Sequence, residues 1–500
     1  MRFTSILSAA ALALSSVEAT CNSTGPVVKT GLGTVLGVED AEYPGVRQFL
    51  GIPYGQNPTG SLRFMPPKPA GNFNYVEATE IPPSCMQFLN PASATIYTRD
   101  VLQFNLGGLN ETGNVAEDCL KLSVWAPSEA SLKKSGKVPV LIFIFGGGLQ
   151  TGGIDVPYQI PTQWVQRSQD HIVVTFNYRV NIFGFPNSAG SPDVNVGYLD
   201  QRLAIEWVRD NIAAFGGDPD NMLLFGQSAG SVSTDVYSFA YPDDPIVKGV
   251  IMESLTAHCP VYSHDYAQSN FSFVANALGC GGLNATGELS CMQHQVSAET
   301  IRDFVANRSI AGTTPSLTFT NIADEKVYFS NYTERALLGK VANIPAIVGT
   351  NTGDGLGAAP YAASGANVTY ANEHYLSTFL CPSTTTITDR IAAGVKAYRY
   401  SYNGNFSNIS PRGWEGAYHS AELPMVFGTH PNYRGNSTEF EYATSHAMQD
   451  AWVAFAKGGA DAMTEMGWPI YEPGTVTAQE IGTEPYPMQL QSLADAEAMC

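Results

Sequence analysis

Apolar residues in this chain gather into short unbroken runs. The longest is Val138-Pro139-Val140-Leu141-Ile142-Phe143-Ile144-Phe145. His171 to Arg179, Met222-Leu223-Leu224-Phe225, Ile246 to Met252 and Ile344 to Val348 are similar. Runs of this kind suit strands buried on both faces, which is the habit of a parallel sheet. Between them, Leu199, Leu203, Ile205, Trp207, Val208 and Ile212 fall at helical spacing. The following Phe215-Gly216-Gly217-Asp218-Pro219 ends that helix, with glycine just past the end and proline soon after. Glu439 to Lys457 predicts a late helix. Leu122 to Ala126 reads as a strand, and the apolar, Gly and Thr alternation from Val28 to Val38 as an edge hairpin. Phe49 to Gly55, followed by Arg63-Phe64 and a proline cluster, reads as covering loop. The stretch 260–340 shows no clear strands and predicts helices and loops laid over the sheet. Strands alternating with helices define the fold class as α/β, with a large, mostly parallel central sheet flanked by helices.

At 500 residues the chain has the length of two or three domains. No internal repeat, low-complexity tract or linker divides it, so residues 20–500 are expected to form a single domain. Residues 1–19 read as a signal peptide. Arg2 supplies the positive end, Ile6 to Leu14 a short apolar stretch, and Val17-Glu18-Ala19 the small residues before a cleavage site. No later run reaches the ~20 apolar residues that a membrane span needs, so no stable anchor is expected. The formal net charge of −19 argues against nucleic acid and against electrostatic docking on anionic membranes. Secretion agrees with an even number of cysteines, eight. It also agrees with N-x-S/T sequons at Asn22, Asn110, Asn270, Asn284, Asn307, Asn331, Asn367, Asn405, Asn408 and Asn436. Occupied sequons lie on the surface, and Asn405 and Asn408 stand too close for both to be expected filled.

Candidate chemistry centres on Gly226-Gln227-Ser228-Ala229-Gly230, which follows the apolar run ending at Phe225. A G-x-S-x-G between strand and helix is the nucleophile elbow, a turn so tight that the flanking positions require glycine and the serine hydroxyl is pushed outward. Serine needs a base to become a useful nucleophile. Eight histidines are available, and His419 stands out because it lies downstream of the core strands, in a small-residue loop that turns into a short helix. The chain order Ser, acid, His then calls for a carboxylate after an intervening strand. Asp354 follows the strand ending at Val348, in Asn351-Thr352-Gly353-Asp354-Gly355; Asp324 and Glu325 are rivals that follow no strand. An oxyanion needs backbone N–H donors. Gly146-Gly147-Gly148, after a buried strand, and Ala229, after the serine, are placed to give them through Gly147, Gly148 and Ala229. No His, Cys or Asp cluster has ligand spacing, so no metal or organic cofactor is expected.

Several longer motifs now stand in order: F-L-G-I-P-Y-G (49–55), E-D-C-L-K-L-S-V-W (117–125), F-G-G-G (145–148), N-Y-R (177–179), F-G-G-D-P (215–219), G-Q-S-A-G (226–230) and A-Y-H-S-A-E-L (417–423). Together they resemble the type-B carboxylesterase/lipase family of α/β-hydrolases, from about Val28 to Tyr471. The resemblance implies Ser228 as nucleophile, His419 as base, Asp354 as acid and a three-amide oxyanion hole. It implies disulfides Cys85–Cys119, Cys280–Cys291 and Cys381–Cys500, leaving Cys21 and Cys259 over. It implies a buried ion pair, Arg63–Glu117, and a supporting serine at Ser254. Three departures matter. The family acid is usually Glu, and here it is Asp354. No Trp lies between Cys85 and Cys119 to hold a quaternary ammonium by cation–π attraction. Gln227 stands where cholinesterases carry Glu. The F-G-G-G form is similar instead to that of secreted fungal lipases, whose first Cys loop is a lid. Here Met86, Phe88, Leu89, Ile96, Val101, Leu102, Phe104 and Leu106 are its apolar residues. The expected protein is a secreted, glycosylated serine hydrolase of small-molecule or lipid esters. A neuroligin-like binding protein on the same fold, and a thioesterase or amidase, are the alternatives.

Overall fold

A computed structural model describes residues 25–89, 95–96, 99–100, 114–432 and 434–500. The proposed signal peptide, Cys21, Asn22, Asn110 and the loop residues Val101, Leu102, Phe104 and Leu106 lie outside the described residues.

The frame is a sheet of eleven strands. In chain order these are β1 (Val38–Glu39), β2 (Val46–Pro53), β3 (Lys121–Pro127), β4 (Val138–Ile144), β5 (Ile172–Phe176) and β6 (Gly217–Gln227). They continue with β7 (Gly249–Glu253), β8 (Ala346–Asn351), β9 (Ala397–Tyr402), β10 (Ala478–Thr483) and β11 (Tyr486–Gln491). Across the sheet the order is β11-β10-β9-β8-β7-β6-β4-β5-β3-β2-β1. Pairing is parallel from β5 through β10 and antiparallel at both margins. The expected apolar runs form the parallel centre, and every residue of β4, β5 and β7 is buried. Four helices matter to the site: α1 (Val196–Asn211), α2 (Ala229–Ala240), α3 (Leu423–Phe427) and α4 (Glu439–Glu465). A further 3-10 turn follows α1 and stops at Gly216, whose φ of 100° is one that L side chains avoid. Helices Ser269–Ala275, Ala285–His294, Ala298–Ala311 and Tyr332–Leu337 occupy the strandless excursion, as expected.

Two expectations need correction. Phe49 to Gly55 is not covering loop. Most of it lies in β2, paired antiparallel to β3, with a register shift between Leu50 and Ile52 where Gly51 takes φ 87°. The irregular glycine and the terminal Pro53 disguise a strand that the sheet margin tolerates. The Val28 to Val38 hairpin exists, as Val27–Lys29 against Thr34–Leu36, but it joins Tyr75–Glu77 in a separate three-stranded sheet.

The three cysteine pairs implied by the resemblance are disulfide-bonded: Cys85–Cys119, Cys280–Cys291 and Cys381–Cys500. Cys259 carries a buried free thiol. Arg63 and Glu117 form a bidentate pair at 2.6 and 2.7 Å. The remaining Arg63 nitrogen donates to the Met292 and Val296 carbonyls. This one guanidinium ties the first disulfide loop to the helical excursion. Among the described residues no helix is long and apolar enough to cross a membrane.

Candidate active site

Parallel pairing brings the carboxyl ends of β4, β6, β7 and β8 to one edge of the sheet, the edge where open α/β folds place their ligands. The loops that leave this edge carry the residues singled out in the sequence.

Ser228 follows β6 with φ 58° and ψ −125° and caps α2. A non-glycine residue holds such a conformation only when its surroundings enforce it. The enforcement is visible on both sides. A Cβ on Gly226 would lie 2.3 Å from the Gly230 carbonyl oxygen, and one on Gly230 would lie 1.9 Å from that of Ile144. Glycine is therefore required at both positions by close approach of backbone. The Ser228 amide donates to the Glu253 carbonyl at 2.9 Å, which locks the turn to the end of β7.

After β4 the chain turns through Gly147, φ 117°, and Gly148, φ 65°. A Cβ on Gly147 would come within 2.2 Å of the Thr151 carbonyl oxygen. The amides of Gly147, Gly148 and Ala229 have no acceptor among the described residues. Gly147, Gly148, Ser228 and His419 line one cavity of ≈ 310 Å³ together with Gln227 and Tyr158.

Asp354 lies three residues beyond β8, 1 % exposed. Its Oδ1 sits 2.8 Å from His419 Nδ1, and its Oδ2 accepts the Asn351 amide at 2.8 Å. The two loops are stitched together: the Gly353 amide donates to the Ala417 carbonyl, and the Asn351 side chain donates to the Tyr418 carbonyl. With its Nδ1–H given to the carboxylate, His419 keeps Nε2 as an acceptor, and the Gln227 amide nitrogen lies 3.4 Å from it. The ring packs against Phe379.

Sequence reading missed the carboxyls behind this pair. Glu422 and Glu253 are both fully buried. Burial first, then the Asp354 carboxylate, pushes Glu422 up to about 7, while its bond from Asn351 and the nearby His419 oppose the rise. Burial, then Glu422, raises Glu253 as well. The available clue was a lone acid in an apolar setting, Val250-Ile251-Met252-Glu253 and Ala421-Glu422-Leu423. The implied support from Ser254 is not seen. Its hydroxyl is buried without a hydrogen-bond partner among the described residues, and only its amide is engaged, to Gly349. Asp324, a rival acid, instead organises its own turn by accepting the amides of Lys326, Val327 and Tyr328.

A serine on an elbow at the carboxyl edge of a parallel sheet, sharing a cavity with an Asp-paired histidine, defines an α/β-hydrolase-type protein. The sequence matches the model of the carboxylesterase family over residues 24–378 and 371–497, and the chain belongs to that family. It is 44 % identical over 437 residues to a chlorogenic acid esterase of Aspergillus niger, covering 87 % of this chain and 83 % of that one. It is 40 % identical over 471 residues to a secreted lipase 5 of Gibberella zeae, covering 89 % and 88 %. To a mouse cholinesterase it is 28 % identical, covering 89 % and 81 %. A PNB esterase structure superposes with a TM-score of 0.78 at 24 % identity, covering 95 % of this chain and 99 % of that one, which shows the shared fold. The protein is a serine hydrolase of carboxylic esters.

Proposed function

We propose that Ser228, His419 and Asp354 are the catalytic triad and that Gly147, Gly148 and Ala229 form the oxyanion hole. The observation that carries this reading is that His419, paired with Asp354 at 2.8 Å, lines the same cavity as Ser228, Gly147 and Gly148, beside amides that have no acceptor among the described residues. Ser228 Oγ attacks the ester carbonyl while His419 Nε2 takes its proton. The tetrahedral oxyanion accepts the three N–H groups. His419 then gives its proton to the leaving alcohol, and an acyl-enzyme remains. Water repeats the sequence and releases the acid. Asp354 holds the imidazole in the tautomer that this needs and stabilises the imidazolium as it forms.

For substrate, the cavity supports a compact acyl group. Phe145, Val156 and Tyr158 supply apolar wall, while Thr151 and Gln159 supply hydroxyl and amide groups. That mixture suits an aromatic acyl group bearing hydroxyls, in keeping with the relative named for chlorogenic acid. The second reading, a lipase, is favoured by the relative of that name. The test is a set of initial rates on chlorogenic acid and on 4-nitrophenyl esters from acetate to palmitate. The expected result is turnover of chlorogenic acid and a kcat/KM at least about tenfold lower for palmitate than for butyrate, since each methylene without a pocket forfeits binding. A rise towards palmitate with no activity on chlorogenic acid would favour the lipase.

Secretion is part of the same proposal, supported by three disulfides and by the relative named as secreted. Asn284, Asn307, Asn331, Asn367, Asn405 and Asn436 are exposed, Asn331 and Asn405 each giving a single amide hydrogen bond, and Asn270 is half-buried. Asn408 is different. It is 4 % exposed, and its amide donates to the His430 carbonyl and to Ser437 Oγ. N-linked glycan uses that nitrogen, so the folded protein has no room for it. Glycopeptide mass spectrometry of the secreted protein is expected to find Asn405 occupied and Asn408 bare; glycan on Asn408 would overturn the assignment.

A further inference from the structure

Behind the Asp354–His419 pair lie two carboxyl groups that the proposed reaction does not use. Glu253 closes β7, and Glu422 immediately precedes α3. Each has one oxygen bound and one free among the described residues. Trp452 Nε1, on α4, donates to Glu253 Oε1 at 2.8 Å, and Asn351 Nδ2 donates to Glu422 Oε2. Glu253 Oε2 and Glu422 Oε1 have no hydrogen-bond partner. Asn351 is the junction. Its side chain reaches Glu422 and the Tyr418 carbonyl, and its amide reaches Asp354 Oδ2. A continuous path therefore runs from Glu422 through Asn351 to Asp354 and on to His419.

We propose that Glu422 is a positioning residue for ester hydrolysis: through Asn351 it fixes Asp354 and His419, and its charge, when present, strengthens His419 as the base. The proposal rests on the triad reading above. The groups facing Glu422 explain why its charge is conditional. Glu253 faces it from β7 and Asp354 from the turn after β8. The Tyr400 and Tyr402 hydroxyls of β9 and that of Tyr418 lie within its field, all held neutral by burial. His419, when protonated, opposes them. Arg399 of β9 acts on Tyr400; its two terminal nitrogens donate to the Val348 carbonyl and to Thr350, and its Nε lies 3.9 Å from Glu497 Oε1. With burial and a neighbouring carboxylate against it, Glu422 is neutral in mild acid and ionised in mild alkali. Ionised, it places a second negative charge behind the imidazole, and the imidazolium of the transition state is favoured further.

The experiment measures kcat/KM against pH for the wild type, Glu422→Gln, Glu422→Ala and Glu253→Gln, with thermal melting of each. Gln at 422 keeps an acceptor for Asn351 and removes the charge. The wild type is expected to match Glu422→Gln within about threefold near pH 6 and to exceed it by about tenfold near pH 9, where the carboxylate stabilises the positive charge of the transition state. Glu253→Gln is expected to keep the same onset of that gain, because burial and Glu422 already hold Glu253 protonated over that range. Glu422→Ala is expected to be slower at every pH. A wild-type to Glu422→Gln ratio that stays constant with pH overturns the charge effect, and wild-type rates in Glu422→Ala overturn the positioning. If Glu422→Ala fails to fold, the Gln variant alone decides. A constant ratio beside an inactive Ser228→Ala protein sinks this proposal and leaves the triad standing; an active Ser228→Ala protein sinks the triad itself.

Discussion

Ser228→Ala is expected to lower kcat by about 10⁴- to 10⁶-fold, the range in which removal of a triad nucleophile leaves only oxyanion and binding contributions. The protein should remain folded. The elbow is set by the closeness of Gly226 and Gly230 to neighbouring backbone, and by the Ser228 amide on Glu253, none of which involves the hydroxyl. Alanine inherits the same φ of 58°, so the strain is unchanged and thermal melting should shift little. Two measurements check the claim together: initial rates on a chromogenic ester, and the burst of alcohol released in the first turnover. The burst reports acyl-enzyme formation and should vanish. Residual activity above about one part in a hundred, with an intact burst, would mean that another group attacks the ester, and the reading of the elbow would be withdrawn.

The chain announces the centre of its sheet and hides its margins. β4, β5, β6 and β7 each carry a buried apolar run, Val138 to Ile144, Ile172 to Val174, Met222 to Phe225 and Val250 to Met252, so local pattern and tertiary fate coincide there. β9 is a different case. Ala397-Tyr398-Arg399-Tyr400-Ser401-Tyr402 is buried throughout, yet it carries an arginine that no apolar pattern would admit. Arg399 is tolerated because the Val348 carbonyl and Thr350 Oγ1, on the adjacent strand, accept from its terminal nitrogens and the Glu497 carboxylate lies 3.9 Å from its Nε. That satisfaction is a tertiary fact and leaves no local trace. The same distinction divides the site. Ser228 and the glycines around it are dictated by a turn that only one short pattern can build, so they are legible. Asp354 and His419 are legible through chain order and their loop settings, and the structure brings them within hydrogen-bond distance. Glu253, Glu422 and Asn351 are not, because a buried acid looks like a surface acid until its neighbours are known. Asp354, where the resemblance leads one to expect Glu, has a physical context of its own. The shorter carboxyl is completed by the Asn351 amide on one oxygen and His419 on the other.

That two-sided grip makes Asp354 the second severe substitution. Asp354→Asn is nearly isosteric and should fold, yet kcat is expected to fall about 10⁴-fold. The amide can turn its NH₂ towards His419 Nδ1, which reverses the tautomer: Nε2 then carries the proton and can no longer take one from Ser228. Asp354→Glu tests the other half of the geometry. The carboxylate is kept, but an extra methylene must enter a site that is 1 % exposed, and overpacking of this kind costs about 1–3 kcal/mol. Displacing the carboxylate by about 1 Å is enough to cost about a hundredfold in rate. The expected order is wild type, then Asp354→Glu, then Asp354→Asn, read from kcat on the plateau of the wild-type pH profile. If Asp354→Asn instead keeps most of its activity, another carboxylate must be orienting the imidazole. Glu422 is already connected to the same loop through Asn351, so the double variant Asp354→Asn with Glu422→Gln would then identify it. An inactive double variant beside an active single one would move the acid from Asp354 to Glu422.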